Sequence, residues 1–119
     1  MAEDGECLYV HPFKEVEVIT GQATIGLEIG TDAPDADAVI ASVGGGGLLC
    51  GVGLGLHAAG CKASVYSAET EGADWLFQSQ AAGRLVRLPN ITSIATSLGS
   101  VTSTPEIHSY LTKRVAQSF

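Results

Sequence analysis

The chain has 119 residues and is 45% hydrophobic, which is enough for one modest core and too little for a second domain. Its net charge of −7 and its six scattered Lys and Arg residues exclude the basic surface that binds nucleic acid. With 16% charged residues and 15 glycines, the composition resembles the interior of a larger α/β protein. We therefore expect residues 1–119 to form a single, partial α/β domain.

The cysteines and the N-terminus indicate the compartment. Cys7, Cys50 and Cys61 are odd in number and lack zinc-ligand spacing, which argues against a disulfide framework and a structural zinc site. The acidic N-terminus lacks the features of a signal or transit peptide, and glycines interrupt the apolar residues 39–56. These features predict a soluble, cytoplasmic protein that does not enter a membrane.

The first third of the chain predicts one strand and one helix. Residues 8–10 (Leu-Tyr-Val) are β-prone and end at a His-Pro pair, which favours extended backbone, so they are assigned to a first strand. From Val16 the spacing of apolar residues favours a helix that ends at Gly30. Residues 31–37 contain a proline and three aspartates and predict a surface connection.

Two βα units are predicted next. Residues 38–43 form an apolar run of strand length, and a helix that is apolar on all sides follows and ends at Gly60. Such a helix packs on a sheet and is covered on its other side. Residues 63–68 alternate as a strand does, and residues 73–82 have helical length and end at Gly83.

The C-terminal segment predicts one more helix. Thr104 and Pro105 are typical of an N-cap and a first helical position, and Ile107, Leu111 and Val115 then lie on one face. Successive βα units with short connections predict a parallel sheet. The predicted fold class is therefore α/β, with three layers and a short parallel sheet.

Four consecutive glycines separate the predicted central strand from its helix: Gly44, Gly45, Gly46 and Gly47. Without Cβ atoms they can bring several backbone N–H groups close to one anion, and a helix N-terminus adds the positive end of its dipole. A glycine run can also be only a flexible turn. The strand before it and the apolar helix after it favour a phosphate site, although the run does not match GxxxxGK[ST] and fits GxGxxG only loosely.

Several segments in order carry a resemblance to a known family: residues 11–13, 20–29, 42–52, 68–73 and 88–95. Residues 42–52 (SVGGGGLLCGV) resemble the tetraglycine motif of the fold-type II pyridoxal-phosphate enzymes, in the tryptophan synthase β-like superfamily. The remaining segments resemble serine and threonine dehydratases in particular. The resemblance spans residues 8 to about 101 and implies a portion of the fold-type II large domain.

The resemblance implies two bound groups. Pyridoxal phosphate would be held non-covalently, with its phosphate on residues 44–47. A monovalent cation would lie near the same loop and bind hard oxygen ligands, namely the Glu69 carboxylate and the backbone carbonyls of Gly44, Ala73, Leu98 and Ser100. Trp75 departs from the family, because it stands where serine-dehydratase-like members can offer a small hydroxyl ligand. Taken alone, Glu69 is equally well an ordinary carboxylate at a strand end.

The resemblance also implies catalytic parts that we expect to be absent. The family's lysine forms a Schiff base with the cofactor and acts on the substrate Cα proton, and it lies upstream of the matched segments. Lys14 lacks the Ser-x-x-Lys context, and Lys62 and Lys113 offer no substitute. The substrate-binding loop and the residue facing the pyridine nitrogen are also expected elsewhere. We assign no catalytic residue and interpret three polar residues of the last helix as surface: His108, Tyr110 and Arg114.

Three explanations of such a chain remain open. It is a truncated dehydratase that retains the phosphate loop, a stand-alone module for a phosphate-bearing small molecule, or one half of an L-serine/L-threonine ammonia-lyase completed by a partner chain. A non-enzymatic interaction module is the further alternative. We favour the remnant or the module over an active lyase. Exposed strand edges and helix faces additionally predict a homo-oligomer or a complementing chain.

Overall fold

The computed structural model describes residues 8–95 and 97–119. Within this part the chain forms an α/β unit whose elements are, in order, α1 (Val16–Asp32), β1 (Ala38–Ser42), α2 (Gly47–Ala58), β2 (Ser64–Ala68), α3 (Trp75–Ala82), α4 (Pro105–Arg114) and β3 (Val115–Ser118). No helix in these residues is long and apolar enough to cross a bilayer.

The strands form a parallel sheet in the order β1-β2-β3. Strands β1 and β2 pair along their whole length, from Ala38 opposite Ser64 to Ser42 opposite Ala68. Because both strands run in the same direction, their C-terminal ends lie at the same end of the sheet. The four glycines follow β1 at that end. The α/β class and the parallel sheet predicted from the sequence are confirmed.

Strand β3 was not predicted. Its sequence, Val-Ala-Gln-Ser, is short and has little apolar character. It is a strand because it pairs in parallel with β2, with an irregularity between Val65 and Tyr66. The pairing continues to Phe119, whose N–H donates to the Ser67 carbonyl and whose carbonyl accepts from the Glu69 N–H. Tertiary pairing therefore decides this element.

Helix α1 covers α2 through backbone contacts. A Cβ added at Gly26 of α1 would lie 2.7 Å from the backbone nitrogen of Leu56, and one added at Gly51 of α2 would lie 2.7 Å from the Ile19 carbonyl oxygen. Such close helix packing is open only to glycine. The prediction that α2 is covered on its far side is confirmed, and α2 also packs against β1 and α4.

The core joins the glycine region to the last two helices. Its most completely buried large side chains belong to α2, α3 and α4: Leu49, Trp75, Leu76 and Leu111. Helix α4 begins as predicted, since the Thr104 side chain accepts a hydrogen bond from the Ile107 N–H. Helix α3 likewise ends at Gly83, which has a φ of 64°.

The structure corrects several predicted elements and bounds. Helix α4 ends at Arg114, so Val115, which was predicted on its apolar face, instead begins β3, where it pairs with β2. Residues 8–10 do not form a strand; their side chains are 51 to 90% exposed, and a strand needs a neighbour to pair with. Helix α1 continues past Gly30 to Asp32, because Gly30 is helical there and packs against Ala59. Helix α3 begins at Trp75 rather than at residue 73, because Ala73 closes a turn by donating to the Thr70 carbonyl.

Candidate anion-binding site

The four glycines, residues 44–47, form what we call the glycine loop, between the C-terminal end of β1 and the first turn of α2. Gly46 is the N-cap of α2 and has a φ of 94°, a conformation that favours glycine. Its carbonyl accepts the first helical hydrogen bond, from the Cys50 N–H at 3.0 Å. The N–H groups of Gly47, Leu48 and Leu49 precede that bond and have no partner within the helix. They are available to an anion.

Two side chains hold the carbonyl groups of the loop. The indole Nε1–H of Trp75 donates to the Gly44 carbonyl at 2.6 Å, and the Ser103 hydroxyl donates to the Gly45 carbonyl at 2.6 Å. In a trans peptide the C=O of one residue and the N–H of the next point in opposite directions, and the described chain contains no cis peptide. The N–H groups of Gly45 and Gly46 therefore point away from Trp75 and Ser103.

A cavity of about 330 Å³ opens beside the loop. This volume lies in the range of roughly 300–1,000 Å³ that is typical of small-molecule sites. The described residues that line the cavity are Pro12, Phe13, Gln22, Ser42, residues 44–47, Leu48, Ser97, Leu98, Gly99 and Ser100. Neither Trp75 nor Ser103 is among them. The N–H groups of Gly45 and Gly46 thus face the opposite side of the backbone from Trp75 and Ser103.

The described lining combines apolar and polar groups and contains no charged side chain. Serine hydroxyls and the Gln22 amide can donate hydrogen bonds, while no carboxylate repels an anion. In a chain of net charge −7 this matters, because most anions would be repelled elsewhere on its surface. Backbone N–H groups at a helix N-terminus are a common phosphate site. The residues present therefore fit the phosphate group of pyridoxal phosphate.

The proposed cation ligands are only partly brought together. Leu98 and Ser100 line the loop cavity, and Ala73 lies behind it, where its Cβ would be 2.9 Å from a Cβ added at Gly99. The Gly44 carbonyl oxygen already accepts the Trp75 indole. Glu69 is not among the described residues that line the cavity.

Glu69 instead caps helix α3. One carboxylate oxygen accepts from the Leu76 N–H at 3.0 Å, and the other accepts from the Phe77 N–H at 2.7 Å and from the Ser118 hydroxyl at 3.0 Å. The local N-cap residue, Asp74, makes no side-chain cap bond. Burial raises the pKa of the Glu69 carboxyl, and the hydrogen bonds from the two helical N–H groups and Ser118 oppose that rise. Three of the roughly four lone-pair sites of the Glu69 carboxylate are thus occupied, and with the Gly44 carbonyl engaged by Trp75 the implied ligands do not form an open cation site.

Sequence reasoning missed two groups of this site. Ser103 was not singled out, because its contact with Gly45 spans 58 residues and no local pattern marks it. Phe13 was noted only within a resembling segment, yet its ring packs directly against Gly45. Only tertiary structure brings residues this distant in the sequence to the loop.

The fold and the loop define a class of protein, and comparison with known families agrees. Residues 1–118 match the family described as pyridoxal-phosphate dependent enzyme, and the chain belongs to this family. The cofactor that the sequence resemblance implied, pyridoxal phosphate, is the one that defines the family.

Individual relatives place the chain more narrowly. It is 38% identical over 96 residues to serine racemase from Oryza sativa subsp. indica, covering 81% of this chain and 28% of that protein. It is 39% identical over 88 residues to L-threonine ammonia-lyase from Thermotoga maritima, covering 74% and 22%. The structure superposes on maize serine racemase with a TM-score of 0.85 at 32% identity, covering 92% of this chain and 34% of that one. The chain thus spans about a third or less of these relatives.

Proposed function

We propose that this chain is the cofactor-phosphate-binding portion of a pyridoxal-phosphate-dependent enzyme of the serine/threonine dehydratase type. The observation that carries the proposal is the pair of hydrogen bonds from Trp75 and Ser103 to the carbonyls of Gly44 and Gly45. They turn the following N–H groups to the other side of the loop, next to the first turn of α2. A phosphate is the ligand that such a set of donors binds.

Amino acids such as L-serine or L-threonine are the proposed substrate class. The support is that the relatives in the comparisons are named serine racemase and L-threonine ammonia-lyase. Pyridoxal phosphate supplies an electron sink for the carbanion that forms when a Cα proton leaves. The chain's own residues would bind the phosphate and thereby orient the cofactor.

We further propose that these residues do not catalyse the reaction unaided. The chain contains three lysines, Lys14, Lys62 and Lys113, and none of them is among the residues that line the loop cavity. No described side chain of that lining is a general base at neutral pH. The amine that the chemistry requires would come from outside the described site.

A complementing polypeptide, whether a second copy or another chain, is the proposed partner. Strand β1 lies at an edge of the described sheet, and Ile40 in its centre is 63% exposed. An exposed apolar edge strand is typically covered by further chain. The free thiols of Cys50 and Cys61 are compatible with the cytoplasm as the proposed location.

Ligand titration tests the phosphate site. We would add pyridoxal phosphate, or unphosphorylated pyridoxal, and follow backbone amide resonances by NMR. Saturable shifts of the amides from residue 45 to residue 49 with the phosphorylated compound alone are expected. No shift at these amides would contradict the proposal.

A matched pair of variants separates the loop from general charge effects. Gly45→Asp adds a carboxylate at the loop, where its Cβ would meet the Phe13 ring. Gly60→Asp adds the same charge at a position with a φ of 72° and no atom within 4 Å of an added Cβ. Gly60 follows the far end of the 12-residue helix α2, about 18 Å from the loop. The first variant should abolish the shifts and the second should retain them.

A turnover assay tests the proposal that these residues do not catalyse the reaction unaided. The purified chain with pyridoxal phosphate and L-serine or L-threonine should release no ammonia. Ammonia release by the unaltered chain that is lost in Gly45→Asp would show that the described residues suffice for catalysis. That result would overturn the proposal that the chain is inactive alone, but it would not contradict the proposed phosphate site.

A further inference from the structure

Trp75 lies at the point where the structure disagrees with the cation site that the sequence resemblance implied. The Trp75 side chain has no exposed surface, and its indole Nε1–H donates to the Gly44 carbonyl at 2.6 Å. The indole thus presents the positive end of a fixed N–H dipole to an oxygen assigned to a cation. A buried ring at this place also occupies the space beside that oxygen.

The carboxylate assigned to the same cation is engaged elsewhere. Both oxygens of Glu69 accept hydrogen bonds, from the first turn of α3 and from Ser118. A bound metal ion needs lone pairs from several oxygens at once, roughly six to eight for calcium.

We propose that Trp75 is a positioning residue that replaces a cation in this chain, so that the glycine loop keeps its anion-binding shape without any mono- or divalent cation. The Gly44 carbonyl and the Gly45 N–H belong to one planar trans peptide, so the bond that orients the first also orients the second. The inference rests on the proposed phosphate site for its role in binding. Its first test, however, uses the ligand-free chain.

That test is thermal unfolding of the whole chain after treatment with a chelator. Potassium, sodium, magnesium and calcium chlorides are each compared with tetramethylammonium chloride at equal ionic strength. The expected result is the same unfolding temperature in every salt. A rise specific to one of the four metal cations would overturn the proposal.

Trp75→Phe tests the hydrogen bond, because it keeps most of the aromatic volume and removes the donor. The carbonyl 13C and amide 15N resonances of the Gly44–Gly45 peptide should shift, because they respond to hydrogen bonding at the Gly44 carbonyl. Ser79→Ala is the matched control: the buried Ser79 hydroxyl donates to the Trp75 carbonyl and accepts from the Val86 N–H, so this change weakens the same helix without touching Gly44. If these resonances move no further in Trp75→Phe than in Ser79→Ala, Trp75 has no positioning role.

Trp75→Ser tests whether the Trp75 indole takes the place of a bound cation. A small hydroxyl there opens space beside the Gly44 carbonyl and adds an oxygen ligand. Its unfolding temperature should rise with potassium or calcium and not with tetramethylammonium. If Trp75→Ser folds but shows no such rise in unfolding temperature, the proposal that Trp75 takes the place of a cation is wrong. If Trp75→Ser does not fold, the comparison of Trp75→Phe with Ser79→Ala decides whether Trp75 positions the loop. Failure of pyridoxal phosphate to bind the unaltered chain would contradict only the proposed function, since these readouts need no ligand.

Discussion

The hydroxyl of Ser103 donates a hydrogen bond of 2.6 Å to the carbonyl oxygen of Gly45, across 58 residues of sequence. Ser103 is only 9% exposed and immediately precedes the N-cap of α4. The bond therefore ties the glycine loop to the start of the last helix. It also orients the peptide whose N–H belongs to Gly46.

Ser103→Ala should weaken phosphate binding by roughly fivefold and lower the free energy of unfolding by about 1 kcal/mol, the net value of one hydrogen bond. Urea unfolding and a pyridoxal-phosphate titration measure the two effects. Ser109→Ala, on the exposed side of α4, is the control and should change neither. Equal behaviour of the two variants would show that the contact with Gly45 does not shape the loop.

Gly46→Ala should destabilise the chain more than Gly60→Ala. Both glycines have positive φ, so each substitution introduces backbone strain of about 1–2 kcal/mol. At Gly46 the new methyl group would also lie 2.6 Å from Cγ2 of Ile107 and 3.1 Å from Cδ1 of Leu111, whereas Gly60 has open space. Crowding of the core adds about 1–3 kcal/mol. Urea unfolding of both variants measures the difference. Equal losses in the free energy of unfolding would show that the new methyl group at Gly46 does not crowd the core.

Glu69→Ala should destabilise α3 although Glu69 lies outside that helix. It removes the acceptor of the Leu76 and Phe77 N–H groups, at a cost of about 1–2 kcal/mol, as for other helix caps. Asp74→Ala removes the residue at the N-cap position, but only an exposed bond to Gln78 worth about 0.3 kcal/mol is lost. Urea unfolding should therefore rank Glu69→Ala well below Asp74→Ala in stability. The reverse order would mean that the cap is local.

The Cys50 thiol should resist alkylation while the chain is folded. Burial raises the pKa of Cys50 from 9.0 to about 12, which lowers its thiolate population about a thousandfold at mildly alkaline pH. Mass spectrometry of the alkylated peptides should show Cys61, which is partly exposed, modified before Cys50. Because the unfolded thiol ionises at lower pH, stability should also fall as the pH rises above 9.0. Cys50 labelling as fast as Cys61 would contradict its burial.

Local patterns predicted the elements that local chemistry controls. The β1 and β2 runs are apolar or alternating, and Gly83 ends α3 because its positive φ closes the last helical turn. Thr104 caps α4 for an equally local reason, since its hydroxyl reaches the N–H three residues later. Residues 8–10 show the limit of this approach: their β-prone side chains do not make a strand without a neighbour.

The sequence by itself indicated the glycine loop as a candidate anion site, because four glycines between a strand and a helix place backbone N–H groups at a helix N-terminus. It also indicated the family, through the several ordered segments that resemble it. Tertiary structure decided which side chains hold the carbonyl groups of that loop and that the Glu69 carboxylate caps α3. The contacts of Trp75 with Gly44 and of Ser103 with Gly45 join residues 31 and 58 positions apart. Side-chain directions at such separations depend on how helices and strands pack, and no local periodicity carries that information.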